Sequence, residues 1–327
     1  MTPLISIRDL SVAFHGVPVV RGVDLALRKG EALGLVGESG SGKSVTWLAA
    51  LGLLPRNARV SGSVRLDGRE ILGAAAAELD RIRGGRVAMI FQDPASALNP
   101  VLTIRRQLCE SLALHRDLSG DAVKAEARQL LDLVGIPDAA RRLEAYPHEF
   151  SGGQVQRIMI AMALAGNPDL LIADEPTTAL DATIQAQILE LLSTIRREMG
   201  MAMVLISHDL GVVAENCDRV AVMYAGRIVE EAPANQLFAD PVHPYAQGLI
   251  GALPPLDGPR RRLTAIPGTV PDPAKMPDGC AFAPRCALAE TPCGIVAPTL
   301  APIAADRAVA CVRAEASRRA LLGIAAE

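Results

Sequence analysis

The sequence is poor in aromatics, in lysine and in net charge. Phe, Trp and Tyr together make up 3% of the 327 residues, yet half of the chain is apolar and the mean hydropathy is +0.26. Its apolar content therefore comes from Ala, Leu, Val and Ile, the composition of packed helices and buried parallel strands, which excludes disorder of the whole chain. Thirty-three basic residues stand against 36 acidic ones, a net charge of −3. That balance argues against an electrostatic nucleic-acid binder, and no nucleic-acid partner is expected. No run reaches the ~18–20 apolar residues that a bilayer crossing needs; Ile158 to Ala165 is bounded by Arg157 and by Gly166-Asn167-Pro168. Met1 to Asp9 has neither a basic n-region nor an apolar h-region, so no export signal is expected and a cytoplasmic location follows. Internal repeats are missing too, and Ala74 to Ala77 is the only low-complexity tract.

The length suits one large α/β domain with an appendage, or two modest domains. The run Ala32-Leu33-Gly34-Leu35-Val36 reads as a buried strand that feeds a Gly/Ser loop, and a helix should follow. Val60 to Leu66 and Val87 to Phe91 read as further strands. From about 94 to 165 the pattern turns helical: Val123, Ala127, Leu130, Leu131 and Val134 recur at helical spacing, with Ser119 as the expected N-cap and Gly135 as the stop. Strands resume at Leu170 to Ala173, Met203 to Ile206 and Val220 to Met223, and Ile184, Ile188, Leu191 and Ile195 share one face of an intervening helix. Strand and helix in alternation predict a parallel sheet. Past about residue 236, Pro241, Pro244, Pro254, Pro255, Pro259, Pro267, Pro271, Pro273 and Pro277 crowd a segment of weak periodicity, expected to be a separate module.

Gly37-Glu38-Ser39-Gly40-Ser41-Gly42-Lys43-Ser44 fits G-x-x-x-x-G-K-[ST] between the predicted strand and helix. The glycines let backbone N–H groups turn inward around phosphate oxygens and the helix N-terminus adds positive charge. Lys43 neutralises the β- and γ-phosphates and the Ser44 hydroxyl can ligate Mg²⁺. A P-loop needs a second, carboxylate-bearing strand. Leu170 to Ala173 followed by Asp174 and Glu175 supplies it, with both acids at the carboxyl end where parallel sheets bind ligands. Asp174 suits Mg²⁺, and Glu175 is placed to polarise an attacking water. These features alone specify a P-loop ATPase or GTPase.

Phe150-Ser151-Gly152-Gly153-Gln154, followed by Val155-Gln156-Arg157, resembles the signature of ABC ATPases. Physically, Ser151 and two glycines open a helix, setting a hydroxyl and bare N–H groups at a positive helix end. The other family motifs arrive in order. Gln92 in Phe91-Gln92-Asp93-Pro94 matches the Q-loop, Ala179-Leu180-Asp181 the D-loop and His208 the switch histidine, while Phe14 stands where the family places an adenine-stacking aromatic. The resemblance, over about residues 4–236, implies an α/β P-loop NTPase (RecA-like) core at 1–93 and 166–236, with an inserted helical signature subdomain at 94–165. It also implies nucleotide contacts from Phe14, Gly37 to Val45, Ser151 to Gln154 and Asp181. Mg²⁺ would be held through Ser44, Gln92 and Asp174, and catalysis served by Glu175, His208 and Gln92. Such subunits pair head to tail, so that Ser151, Gly152 and Gly153 act on the partner's ATP.

The tail, 237–327, is expected to be a small irregular extension. Asp240-Pro241-Val242-His243-Pro244-Tyr245, then Gly248-Leu249-Ile250, then Gly279-Cys280-Ala281-Phe282-Ala283-Pro284-Arg285-Cys286, resembles the C-terminal extension of oligopeptide and dipeptide importer ATPases. That implies ATP-driven uptake of peptides at the cytoplasmic face of the membrane. The implied partners are two permease subunits, a substrate-binding protein and a second ATPase, identical or related. Related nickel, opine or glutathione importers are the alternatives within the class; a soluble ABC protein of another class is disfavoured by the single P-loop and the absence of heptads or a basic run. Cys109 and Cys217 are scattered, but Cys280, Cys286, Cys293 and Cys311 gather in the last fifth, which in a reducing compartment suggests ligation before disulfides. Their spacing departs from the C-x2-C of zinc ribbons and ferredoxins, so spacing alone selects no metal. In similar importer ATPases cysteines so placed can ligate a [4Fe-4S] cluster; structural zinc and unligated thiols stay open.

Overall fold

A computed structural model describes residues 2–93, 97–178, 180–253 and 265–321. Pro94, Ala179, Pro254, Pro255 and Pro259, singled out above, lie outside the described residues. Among the described residues twelve strands follow one another: β1 (Ile5–Phe14), β2 (Val17–Leu27), β3 (Ala32–Val36), β4 (Ala58–Leu66), β5 (Arg69–Glu70), β6 (Val87–Ile90), β7 (Leu170–Asp174), β8 (Ala202–Ile206), β9 (Arg219–Tyr224), β10 (Arg227–Pro233), β11 (Ala301–Ala304) and β12 (Arg307–Val309). The chain divides into two compact units. One comprises Met1–Leu27, Ala32–Leu72 and Ile206–Glu327, the other Arg28–Glu31 and Gly73–Leu205.

In the first unit β2-β1-β4-β5 form an antiparallel sheet, in which Phe14 at the end of β1 pairs with Val17 and Ala58. The strands β3, β9, β10, β12 and β11 lie side by side in that order. β3 and β9 are parallel, with Leu35 opposite Ala221, whereas β9, β10, β12 and β11 join antiparallel. All five residues of β3 are buried, the uninterrupted apolar run of a strand covered on both faces. The parallel sheet expected from the alternating pattern is therefore real for β3 and β9, and hairpin-like additions extend it.

The second unit holds β8-β7-β6, with β6 and β7 parallel and Ile90 opposite Ala173. β6 stops at Ile90, one residue short of the expected strand, and leaves Phe91 45% exposed. Helices fill the described residues between 104 and 164: Ile104–His115, Asp121–Leu133, Ala139–Arg142 and Gly152–Leu164. The helix Asp121–Leu133 buries Val123, Ala127, Leu130 and Leu131 as the spacing predicts, and Gly135 follows its end at φ +73°. Its N-cap is Gly120, not Ser119; the cap residue sits at φ 60°, ψ −128°, which glycine alone reaches without strain. The helix Ala182–Met199 buries Ile188, Leu189, Leu192 and Ile195, so the covered stripe passes beside the half-buried Ile184 and Leu191. Asp181 caps its start and Gly200, in the left-handed region, its end.

The extension folds onto β10 through a buried ion pair in the first unit. Glu230 is fully buried and accepts from the Val242 and His243 backbone N–H groups at 3.0 and 2.7 Å and from Arg307 Nη2 at 2.9 Å. Burial pushes its carboxyl upward from the ordinary range, against the pull of those donors. Arg307→Met would strand this carboxylate, and chemical denaturation at pH 8 should register a loss of about 3–5 kcal/mol. Because the folded-state pKa then stands above the unfolded one, proton uptake favours the fold as pH falls. The loss should thus shrink toward pH 5, and equal losses at both pH values would contradict this account.

Candidate functional site

In the first unit β3 delivers its chain directly into the loop Gly37–Gly42 and the helix Lys43–Ala50. Gly37 has φ +152°, and a Cβ there would sit 2.1 Å from the Met223 carbonyl oxygen, so only glycine can make this exit from the strand. The helix begins at Gly42 in the left-handed region with no side-chain cap and no acid in its first turn. Neither a capping side chain nor a first-turn acid therefore competes there with an anion. Lys43 is buried and its Nζ donates to the carbonyls of Gly37 and Glu38 at 2.8 and 3.1 Å, which holds the ammonium inside the loop's curve. Ser41 is fully buried, and its Oγ has no hydrogen-bond partner among the described residues. A buried orphan hydroxyl in a ring of glycines is what a polyphosphate site needs and what a mere turn would avoid. Ser44 and Val45, in the first turn of the helix, are half-buried. The residues present thus fit a nucleotide triphosphate.

The same unit holds Phe14 and His208. Phe14 is half-buried and ends β1 just before a turn with His15 at φ +50° and Gly16 at φ +82°. His208 is exposed and follows β8, between Ser207, whose Oγ accepts from the Asp209 N–H at 2.9 Å, and Asp209, which caps the helix Leu210–Asn216.

The second unit gathers the expected water-activating groups. Asp174 is buried at the end of β7, and Glu175 turns the chain at φ +50°, an uncommon conformation for a residue with a side chain. The Glu175 Oε2 accepts from Gln92 Nε2 at 2.9 Å and from Thr178 Oγ1 at 2.9 Å. Gln92 and Glu175 are thereby brought together across 83 positions of sequence. Thr178 went unnoticed in the sequence; a lone threonine three residues after Glu175 carries no distinguishing pattern.

The signature opens the helix Gly152–Leu164 with a capping box. Ser151 Oγ accepts from the Gln154 N–H at 3.4 Å, and Gln154 Oε1 accepts from the Ser151 N–H at 3.1 Å. Ser151 and Gly152 are exposed. Gly153 serves packing as well, because a Cβ there would lie 2.8 Å from Ile184 Cγ2. Ile184 is in turn fixed by Asp181, whose Oδ1 accepts from the Thr183 and Ile184 N–H groups at 3.1 and 3.0 Å. Signature and D-loop are thus seated on one another within this unit.

Back in the first unit, Cys280, Cys286, Cys293 and Cys311 all line one small cavity of about 20 Å³, together with Phe282 and Leu288. Burial pushes the Cys280 and Cys286 thiols up, and Cys311 up to about 11. The donor set is chemically that of a thiolate-bound cluster. Among the described residues, however, no group of three or more His, Cys, Asp and Glu side chains is arranged to hold a metal ion. Nor is any described helix long and apolar enough to cross a membrane.

The family described as ABC transporter matches residues 20–178, and that described as oligopeptide/dipeptide transporter, C-terminal region, matches residues 229–293. A Brucella melitensis protein named for peptide import ATP binding is 53% identical over 296 residues, 89% of each chain. The oligopeptide transport ATP-binding protein OppD of Salmonella typhimurium is 48% identical over 314 residues, 95% of this chain and 93% of that one. Among solved structures, cbiO1 of Clostridium perfringens, part of the ABC transporter complex cbiONQ, is similar with a TM-score of 0.65 at 26% identity, over 73% of this chain and 92% of that one. The ATP-binding cassette MJ0796, a dimer in a post-hydrolysis state with ADP and Pi, gives 0.62 at 27% identity, over 70% and 98%.

Proposed function

This chain belongs to the ATP-binding subunits of ABC transporters, and from that premise we propose that it hydrolyses ATP to power the import of di- and oligopeptides through separate permease subunits. The match of residues 229–293 to the oligopeptide/dipeptide transporter C-terminal region carries the choice of peptides as cargo. The assembly would comprise two ATPase subunits, identical or related, two permeases at whose cytoplasmic face they sit, and a substrate-binding protein. Pairing is supported by the dimeric MJ0796 cassette.

In this reading the loop Gly37 to Val45 takes the triphosphate, Ser44 binds its Mg²⁺, Phe14 stacks on the base and His208 contacts the γ-phosphate. In the second unit Gln92 and Asp174 serve Mg²⁺, and Glu175 polarises the attacking water. Ser151, Gly152, Gly153 and Gln154, with Asp181, act on the nucleotide of the paired subunit. Hydrolysis of this kind is mostly positioning and charge stabilisation, so donors are needed on every side of the γ-phosphate, and one P-loop leaves a side uncovered. The Gln92 and Thr178 hydrogen bonds to Glu175 support its role, since they fix the carboxylate that must meet the water. Glu175→Gln keeps the shape and removes the base. In the assembled transporter it should lower kcat at least ~100-fold while ATP still binds; turnover near that of the wild type would refute the assignment.

The four cysteines are read here as ligands of a [4Fe-4S] cluster, supported by their shared cavity. Such a cluster would brace a Pro-rich segment with little apolar periodicity of its own. Anaerobically purified protein should carry about four iron and four sulfide per chain; about one zinc, or no metal, would overturn this reading.

A further inference from the structure

Within the first unit the extension holds the nucleotide loop by its second residue. The Glu38 carboxylate receives both arms of one guanidinium, Arg285 Nη1 to Oε2 at 2.7 Å and Nη2 to Oε1 at 3.0 Å. Arg285 is itself pinned: its Nε donates to the Pro267 carbonyl at 2.8 Å, and it lies over the rings of Tyr224 and Phe282, 5.8 and 5.9 Å from their centroids. Only 4% of its side chain is exposed, against 32% for Glu38. The other end of Glu38 is held as well, because its backbone N–H donates to Tyr245 Oη at 2.8 Å. Tyr245 is fully buried and packs on Tyr224 at 4.6 Å and Phe282 at 5.4 Å between centroids.

A carboxylate in a loop that receives a polyphosphate opposes its ligand by like charge, and a fork of two short hydrogen bonds from a buried guanidinium removes most of that opposition. The Lys43 ammonium is directed to the backbone carbonyls of Gly37 and Glu38, whereas the fork from Arg285 meets the carboxylate itself. We infer that Arg285 is a positioning residue for nucleotide binding, which neutralises Glu38 and holds its carboxylate against the extension so that the triphosphate can enter, and so ties ATP affinity to the cysteine-bearing extension. The link is short, because Arg285 immediately precedes Cys286 and Phe282 lines the four-cysteine cavity. The inference rests on the reading of Gly37 to Ser44 as the triphosphate loop.

The test uses the assembled transporter with full-length subunits, reading KM for ATP and kcat together with calorimetric binding of MgATP. Arg285→Met should raise KM and Kd about tenfold with kcat within about twofold, the size of one unscreened charge near the ligand. Adding Glu38→Gln to that variant should bring both constants back to within about threefold of the wild type. An unchanged KM in Arg285→Met overturns the inference. So does a raised KM that Glu38→Gln fails to correct, because Arg285 would then only brace the extension. Should Arg285→Met not fold, Arg285→Gln, which keeps a hydrogen-bonding head but loses the charge, is compared with R285Q/E38Q. A raised KM that the second change corrects supports the inference, and any other result overturns it. Wild-type protein that binds no MgATP would remove the P-loop reading itself, and the inference with it, a failure visible before any variant is made.

Discussion

Everything in this molecule depends on a helix start that no side chain caps, set at the end of a fully buried strand. β3 is buried along its whole length, Gly37 leaves it through a conformation closed to other residues, and the helix from Lys43 starts with neither a capping side chain nor an acid. The buried Ser41 hydroxyl is without a partner among the described residues. In the proposed function an incoming anion would supply the acceptor that such a helix start and hydroxyl call for.

The second unit carries strain in its backbone. Glu175 is held at φ +50° and by two hydrogen bonds, from Gln92 and Thr178, so its carboxylate is oriented before any substrate is present. In the proposed function, such preorganisation would let the carboxylate act as a base without rearrangement during the reaction. The capping box of Ser151 and Gln154 does the same for the signature helix. Its exposed start presents N–H groups in a fixed direction, while Gly153 lets the helix close on Ile184.

Much of this was legible in the sequence because it is local. An apolar run before G-x-x-x-x-G-K-S, another before Asp174-Glu175, and Ser-Gly-Gly at a helix start carry their reasons within a few residues. Helix ends were less legible: Gly120 displaced Ser119 as cap because backbone freedom outranked a hydroxyl, and the stripe through Leu189 and Leu192 depends on which face the rest of the fold covers. Contacts that span the chain were not legible at all. Tyr245 and Arg285 stand 207 and 247 positions from Glu38, and nothing in their neighbourhood states what they touch. Their presence beside the prolines and cysteines of the extension marked the region, while the partner emerged only from the fold.

The extension accordingly reaches the loop after β3 through Tyr245 and Arg285. Its Tyr245 and Phe282 pack on Tyr224 at the end of β9, and Glu230 with Arg307 anchors the same segment to β10. The most direct test of the central claim is the affinity of the Lys43→Ala protein for MgATP by calorimetry. Removing the ammonium that the loop curls around should weaken binding by at least about tenfold, whereas an affinity equal to that of the unaltered protein would contradict the account.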